Sequence, residues 1–190
     1  MSAEYRIDVG AGRIAPARQH PSPNCDDRPA GVEVDLLVVH GISLPPGEFG
    51  GPAIEELFTN RLDFDSHPYF DRLRGLRVSA HLLIRRDGEV VQFVPFRQRA
   101  WHAGESSFRG RTECNDFSIG VELEGEDDTP YADRQYAVLG AVASALCGAY
   151  PGLSPRRICA HSDIAPGRKT DPGPAFDWLR MYDALNRGSQ

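Results

Sequence analysis

The segment that most constrains the fold is a short apolar run, VDLLVV, at positions 34–39. Apart from Asp35 it is continuously apolar and rich in β-branched side chains, a pattern typical of a strand buried on both faces. A chain of 190 residues is long enough to cover such a strand within one domain. The run ends at His40, so we expect His40 at the carboxyl end of the strand, the edge where ligands collect in open α/β sheets.

The remaining patterns predict a mixed α+β (α/β) chain, a single domain with a central mixed β-sheet flanked by helices. Asp87-Gly88 between two alternating segments is a strong hairpin signal, and Thr129-Pro130 fits the start of a helix. Residues 1–30, rich in Pro and Asp, are interpreted as an irregular arm, and residues 31–187 as the folded domain. The predicted elements are a helix at 53–59, a hairpin at 79–94, strands at 117–123 and 157–160, and helices at 129–149 and 176–186.

Composition narrows the partners and the compartment. The formal net charge of −6 argues against nucleic acid or an anionic membrane as the main partner. Residues 1–14 contain no secretory apolar run, and no apolar stretch approaches the ~20 residues of a membrane span. The cysteines form no C-x-x-C pair, which together with the lack of a signal peptide favours free thiols in the cytoplasm. They are Cys25, Cys114, Cys147 and Cys159.

Two of the six histidines are candidate metal ligands. His40 and His161 each end an apolar strand and each precede a loop rich in Gly and Pro. Imidazoles held at the ends of neighbouring strands can converge on one ion, and imidazole suits zinc. A catalytic zinc site has three protein ligands and an open position, so the loop after His161 would supply the third. Asp163 and Asp171 both qualify by spacing, although Asp163 also suits a loop or helix cap.

Several polar residues near these histidines suit amide hydrolysis. Glu122 and Glu124 share one face of a strand; they are either solvated, or one of them serves as a proton-transfer group. Lys169 is a candidate for stabilising an oxyanion. Trp101 and His102, close to a glycine, suit a wall for a sugar, with a buried tryptophan as the alternative.

Five ordered segments carry a specific resemblance to a known family. The chain resembles AmpD, the family of cytoplasmic 1,6-anhydro-N-acetylmuramyl-L-alanine amidases of cell-wall recycling. The match is collinear and covers about residues 21–179. The segments are LLVVHGISLPPGEFGGP (36–52), LRVSAH (76–81), RAWHAG (99–104), CNDFSIGVELEG (114–125) and RKTDPGPAFDW (168–178).

The resemblance implies a fold like that of the amidases related to peptidoglycan recognition proteins, with residues 31–187 as the catalytic domain. It implies one zinc ion per chain and a monomer that splits an anhydromuropeptide into the anhydro-sugar and the free peptide. The residues carried over are His40, His161 and Asp171 as zinc ligands, Glu122 and Lys169 as catalytic residues, and Arg77, Trp101 and Arg168 in the substrate groove.

Two positions depart from the family pattern. Gly41 stands where the family usually has Asn, and Glu113 where it often has Arg, so we expect an effect on substrate preference rather than on the metal chemistry. A binding-only module, an exported wall amidase and a purely structural zinc are the rival interpretations. The complete set of site residues disfavours a binding-only module, and the lack of an export signal disfavours an exported wall amidase. A purely structural zinc would favour four ligands, whereas the sequence offers three.

Overall fold

A computed structural model describes residues 4–188, so the first three residues of the predicted arm lie outside the described part. Its strands are β1 Arg6–Asp8, β2 Arg13–Ala15, β3 Arg18–Gln19, β4 Cys25–Asp27, β5 Leu36–Ile42, β6 Leu82–Ile84, β7 Val90–Gln92, β8 Gln98–Ala100, β9 Ser107–Phe108, β10 Arg111–Thr112, β11 Ser118–Glu124 and β12 Ile158–Ala160. The centre of the fold is a six-stranded mixed sheet in the order β12-β5-β11-β6-β7-β3.

Four neighbouring strands of this sheet run in parallel, and their register aligns the predicted site residues. Strand β5 pairs with β11 so that His40 lies opposite Glu122. On its other side β5 pairs with β12, with Val39 opposite Ala160, so His161 directly follows the pair. Because parallel strands end at a common edge, residues distant in sequence meet there.

Helices cover both faces of the sheet. They are α1 Ala53–Phe58, α2 Asp133–Ala149, α3 His161–Ile164 and α4 Trp178–Gly188, with 3₁₀ turns at Pro68–Leu73, Cys114–Asp116 and Pro155–Arg157. Helices α2 and α4 pack against each other and against one face, and Gly140 permits their close approach, because a Cβ there would lie 2.5 Å from the carbonyl carbon of Ala184. Helix α1 and the first 3₁₀ turn cover the other face.

Strand β5 is buried on both faces, as its apolar run predicts. Leu37 and Val39 belong to the large cluster beneath α2 and α4, whereas Leu36 and Val38 belong to a smaller cluster on the opposite face. Full burial of each such side chain contributes about 1.5–3 kcal/mol. The strand continues two residues beyond His40, to Ile42, so His40 lies within the strand rather than at its end.

The arm predicted to be irregular contains four short strands. Strands β1 and β2 form a hairpin, β3 pairs with β7 at the edge of the central sheet, and β4 pairs with β8. These strands have only two or three residues, and the partners of β3 and β4 lie far along the chain, so no local periodicity announces them. The described part of the arm, residues 4–30, is therefore joined to the domain by strand pairing.

The predicted helix start at Thr129-Pro130 is wrong. Helix α2 begins at Asp133, and the Gln135 side chain accepts a hydrogen bond from the Ala132 amide just before it. The hydroxyl of Thr129 instead donates to Glu126, and the Pro130 carbonyl accepts from Arg86. Tertiary contacts thus hold residues 129–130 outside the helix. Within residues 4–188, no helix has the length and apolar character needed to cross a bilayer.

Glu55 on α1 connects three parts of the molecule. Its carboxylate accepts hydrogen bonds from Arg18 on β3 at 2.7 and 2.9 Å and from Arg85, which follows β6, at 2.6 Å. His20 lies 2.6 Å away, and Arg85 also pairs with Glu124 at 3.0 Å. The hydrogen bonds from Arg18, followed by that from Arg85, outweigh burial and lower the pKa of Glu55 to about 2.

Glu55→Gln is expected to lower the free energy of unfolding at neutral pH by about 1.5–3 kcal/mol, because charge-assisted hydrogen bonds are lost. A carboxyl group with a depressed pKa stabilises the fold above its unfolded pKa, near 4.5, and this contribution disappears as pH falls to about 2. The two proteins should therefore converge in stability over that interval, as measured by urea denaturation.

The matched control is Glu56→Gln, which changes the adjacent acid; within the described chain no ion pair involves that side chain. An equal loss of stability in both variants, or a loss independent of pH, would contradict the role of Glu55.

Candidate active site

Three side-chain atoms converge where β5 and β12 meet the loop after α3. The Nδ1 atoms of His40 and His161 lie 2.9 Å apart, and Oδ2 of Asp171 lies 3.2 and 3.0 Å from them. Both histidines are buried and Asp171 is half-buried. Two imidazole nitrogens and a carboxylate oxygen facing one point are compatible with a metal ion.

The protonation of the two histidines fits this arrangement. Nε2 of His161 lies 3.1 Å from the Ala103 carbonyl, which only accepts, so the proton of the neutral ring is assigned to Nε2 and Nδ1 carries a lone pair. Burial lowers the pKa of His40 to about 4, which keeps this imidazole neutral near pH 7. Imidazole nitrogens that carry lone pairs cannot donate a hydrogen bond to a neighbouring carboxylate. A cation between them would instead be coordinated by both nitrogens and by the carboxylate oxygen.

The two aspartates that spacing left open occupy different positions. Asp163 is exposed, and its Oδ2 accepts the Ala160 amide at 2.9 Å, so it caps the short helix α3. Asp171 points at the two histidines, and its own carbonyl accepts the Ser162 amide at 3.1 Å. The loop therefore folds back so that Asp171 lies beside His161.

Glu122 faces the same point from β11, and Glu124 does not. Oε1 of Glu122 lies 4.0 Å from Nδ1 of His40, while its buried Oε2 has no hydrogen-bond partner among the described residues. Burial, and then the charge of Asp171, raise the pKa of the Glu122 carboxyl well above its usual value. Glu124 instead accepts hydrogen bonds from Arg85 and from the Gly50 amide, a structural role.

A cavity of about 800 Å³ opens over these residues. Its walls include Lys169, Arg77, Trp101 and Arg168, the other residues that the sequence singled out. Lys169 and Arg77 are exposed and Trp101 is half-buried. Arg168 differs from them, because its Nη2 donates to the carbonyls of Ala103 at 2.5 Å and Glu105 at 2.6 Å.

The two departures from the family pattern lie in different surroundings. Gly41 lines the cavity, and a Cβ there would lie 2.2 Å from the hydroxyl of Tyr131. That hydroxyl donates to the Pro172 carbonyl at 2.9 Å, next to Asp171. Glu113 is exposed, has a left-handed backbone and is not among the described residues that line the cavity.

A sequence profile described as N-acetylmuramoyl-L-alanine amidase matches residues 30–174. This covers well over half of the chain. The chain belongs to this amidase family. The amidase is also 59% identical over 178 residues to the 1,6-anhydro-N-acetylmuramyl-L-alanine amidase AmpD of Enterobacter cloacae, covering 94% of this chain and 95% of the relative. The resemblance predicted from the sequence is confirmed.

Solved structures agree on the fold. A crystal structure of a selenomethionine derivative of AmpD superposes on the amidase with a TM-score of 0.91, at 57% identity, covering 94% of this chain and 98% of that one. Escherichia coli AmiD, solved in complex with the substrate anhydro-N-acetylmuramic acid-L-Ala-D-γ-Glu-L-Lys, gives a TM-score of 0.57 at 28% identity. That match covers 95% of this chain and 65% of AmiD. The predicted mixed single-domain fold is confirmed.

The sequence pattern does not single out Asn115, and it predicts a different role for His102. It places His102 in a wall for a sugar, whereas the ring is buried behind His40, with its Nδ1 2.9 Å from Nε2 of His40. Asn115 accepts the amides of His102 and Ala103 at 3.1 and 2.8 Å. A usable signal was Gly120 inside a strand, since an isolated strand glycine often marks the close approach of another group.

Arg168→Ala is expected to loosen the segment around residues 103–105, because two hydrogen bonds from a charged donor to its carbonyls are lost. The free energy of unfolding should fall by about 1–2 kcal/mol. Hydrogen–deuterium exchange should accelerate in the peptide that contains residues 103–108.

Arg77→Ala serves as the control, because it removes an exposed arginine from the same cavity. If both variants left exchange in that peptide unchanged, the Arg168 hydrogen bonds would not hold the segment.

Proposed function

We propose that this amidase uses one zinc ion to hydrolyse the amide bond between 1,6-anhydro-N-acetylmuramic acid and L-alanine in cytoplasmic anhydromuropeptides, as a step of peptidoglycan recycling. The observation that carries the proposal is the convergence of His40, His161 and Asp171 next to the unpartnered carboxyl oxygen of Glu122. Three ligand atoms and a nearby acid–base group are what metal-assisted hydrolysis requires.

Zinc is the metal that this donor set favours. Neutral imidazoles with a single carboxylate suit zinc, whereas magnesium and calcium prefer sites built of oxygen atoms. His40, His161 and Asp171 would hold the ion, and the adjoining cavity leaves room for substrate. When bound there, zinc supplies Lewis acidity, which polarises the amide carbonyl and acidifies water.

The protein's own groups then account for proton transfer and charge stabilisation. Glu122 takes a proton from the attacking water and delivers it to the leaving nitrogen of L-alanine. Its position suits this cycle, because the buried Oε2 has no hydrogen-bond partner among the described residues and is free to receive that proton. Lys169 lines the same cavity, and its positive charge stabilises the oxyanion that develops on the carbonyl oxygen.

The assignment of the substrate rests on relatives and on the cavity. The relative from Enterobacter cloacae carries the name of a 1,6-anhydro-N-acetylmuramyl-L-alanine amidase, and AmiD was solved with an anhydro-muramyl peptide. Arg77 and Trp101 line the cavity beside the metal ligands. An arginine suits a peptide carboxylate and a tryptophan ring suits the face of a sugar, so we assign both to substrate binding, together with Arg168.

A cytoplasmic location is part of the proposal. All four cysteines are free thiols, and Cys114 and Cys159 are buried. Free thiols persist in a reducing compartment, where disulfides are rare. An anhydromuropeptide returned to the cytoplasm would meet the enzyme there.

The proposal is tested by mass-spectrometric analysis of products after incubation with anhydro-muramyl-tripeptide, beside the same sugar-peptide without the anhydro ring. We expect free tripeptide from the anhydro substrate and little from the other. Removal of the metal with a chelator should abolish release, and zinc should restore it. Equal cleavage of both substrates would indicate a broader wall amidase, and no cleavage by the zinc-loaded protein would indicate a binding module.

Glu122→Gln is expected to lower the rate of hydrolysis by about 10²–10⁴-fold, because the amide cannot take up the proton of water. Zinc content and melting temperature should remain near those of the parent, since Glu122 is not among the three convergent ligands. Metal analysis and steady-state kinetics measure the two effects separately.

Glu124→Gln is the matched control on the same face of β11. It should lower stability, because the pair with Arg85 is weakened, and leave the rate per folded molecule intact. Near-parental hydrolysis by Glu122→Gln would refute the role given to Glu122.

A further inference from the structure

A chain of buried hydrogen bonds begins behind His40 and ends at a backbone carbonyl. Nε2 of His40 lies 2.9 Å from Nδ1 of His102, and Nε2 of His102 lies 3.0 Å from Oγ of Ser118. Oγ of Ser118 in turn lies 2.6 Å from the carbonyl oxygen of Cys114. His40, His102 and Ser118 are at most 8% exposed.

The direction of this chain follows from its last acceptor. A carbonyl oxygen cannot donate, so Ser118 donates its only proton to Cys114. Ser118 must then accept from Nε2 of His102, which assigns the proton of the neutral His102 ring to Nε2 and a lone pair to Nδ1. That lone pair accepts the Nε2 proton of His40. The remaining nitrogen of His40, Nδ1, is therefore the one without a proton, and it is the atom that faces His161 and Asp171.

The surroundings hold the His102 ring in one place. Gly120 on β11 lies directly beneath it, and a Cβ at that position would lie 2.5 Å from Cγ of His102. The backbone of His102 and Ala103 is bound to Oδ1 of Asn115. The same short segment also orients the second ligand, since the Ala103 carbonyl accepts from His161.

We propose that His102 is a positioning residue of the metal site, which fixes His40 in the tautomer that presents the Nδ1 lone pair to the ion, with Ser118 fixing His102 in turn. The inference rests on the proposed zinc binding. Outer partners that orient a ligating histidine affect metal affinity by about 10–100-fold, and this is the size of effect expected here.

The test uses the full chain and zinc alone, without substrate. We expect His102→Leu to weaken zinc binding by about 10–100-fold in chelator competition, because it removes the acceptor of the His40 proton. His102→Asn should recover most of this loss, since its amide oxygen can take the place of Nδ1. In ¹⁵N NMR spectra of the zinc-loaded protein, His40 should carry its proton on Nε2, and Ser118→Ala should weaken zinc binding less than His102→Leu does.

The matched control is His81→Asn, which removes another buried imidazole. This ring contacts the Gly120 amide, the Gln98 carbonyl and Arg28, and its edge meets the His102 ring, but within the described residues it forms no hydrogen bond to His40, His161 or Asp171. The substitution should lower the melting temperature without changing zinc affinity. The proposal would be overturned if folded His102→Leu bound zinc as tightly as the parent, or if His102→Asn and His102→Leu lost equal affinity. If His102→Leu does not fold, two other results would overturn it: parental zinc affinity in both His102→Asn and Ser118→Ala, or a His40 proton found on Nδ1. A parent protein that binds no zinc would instead refute the proposed function.

Discussion

The parallel pairing of β5 with β11 and β12 is the constraint on which the rest of the structure depends. It places His40 opposite Glu122 and brings His161 alongside. Each strand also buries an apolar face against α2 and α4, so a slip of one residue would turn core side chains into the cavity. Burial of apolar side chains therefore fixes the strand register, and the register in turn places the polar residues of the site.

This arrangement gives the two faces of β11 separate roles. Ile119, Val121 and Leu123 belong to the core. On the other face, Gly120 lies beneath His102, and Glu122 faces His40. The strand thus joins the stability of the domain to the geometry of the site. Beneath the cavity, His102 and Ser118 are held by hydrogen bonds to other protein groups.

Much of the sheet and most of the site could be predicted because their signals are local. The apolar run before His40, the Asp-Gly hairpin and the histidine after β12 each lie within a few residues. The short strands of residues 6–27 could not be predicted, since β3 depends on a partner at Val91 and Gln92. Asp171 could not be separated from Asp163 by spacing, because the distinction depends on how the loop folds back; the family resemblance supplied it.

The glycine beneath His102 has a consequence for inheritance and for engineering. A methyl group at position 120 would occupy the space of the imidazole, so no residue larger than glycine fits there while position 102 carries histidine. The dependence runs in one direction: the histidine requires the glycine, whereas the glycine accepts a smaller residue at position 102. A designer who grafts this centre onto another sheet must transplant the empty space at position 120 as well as His40, His161 and Asp171.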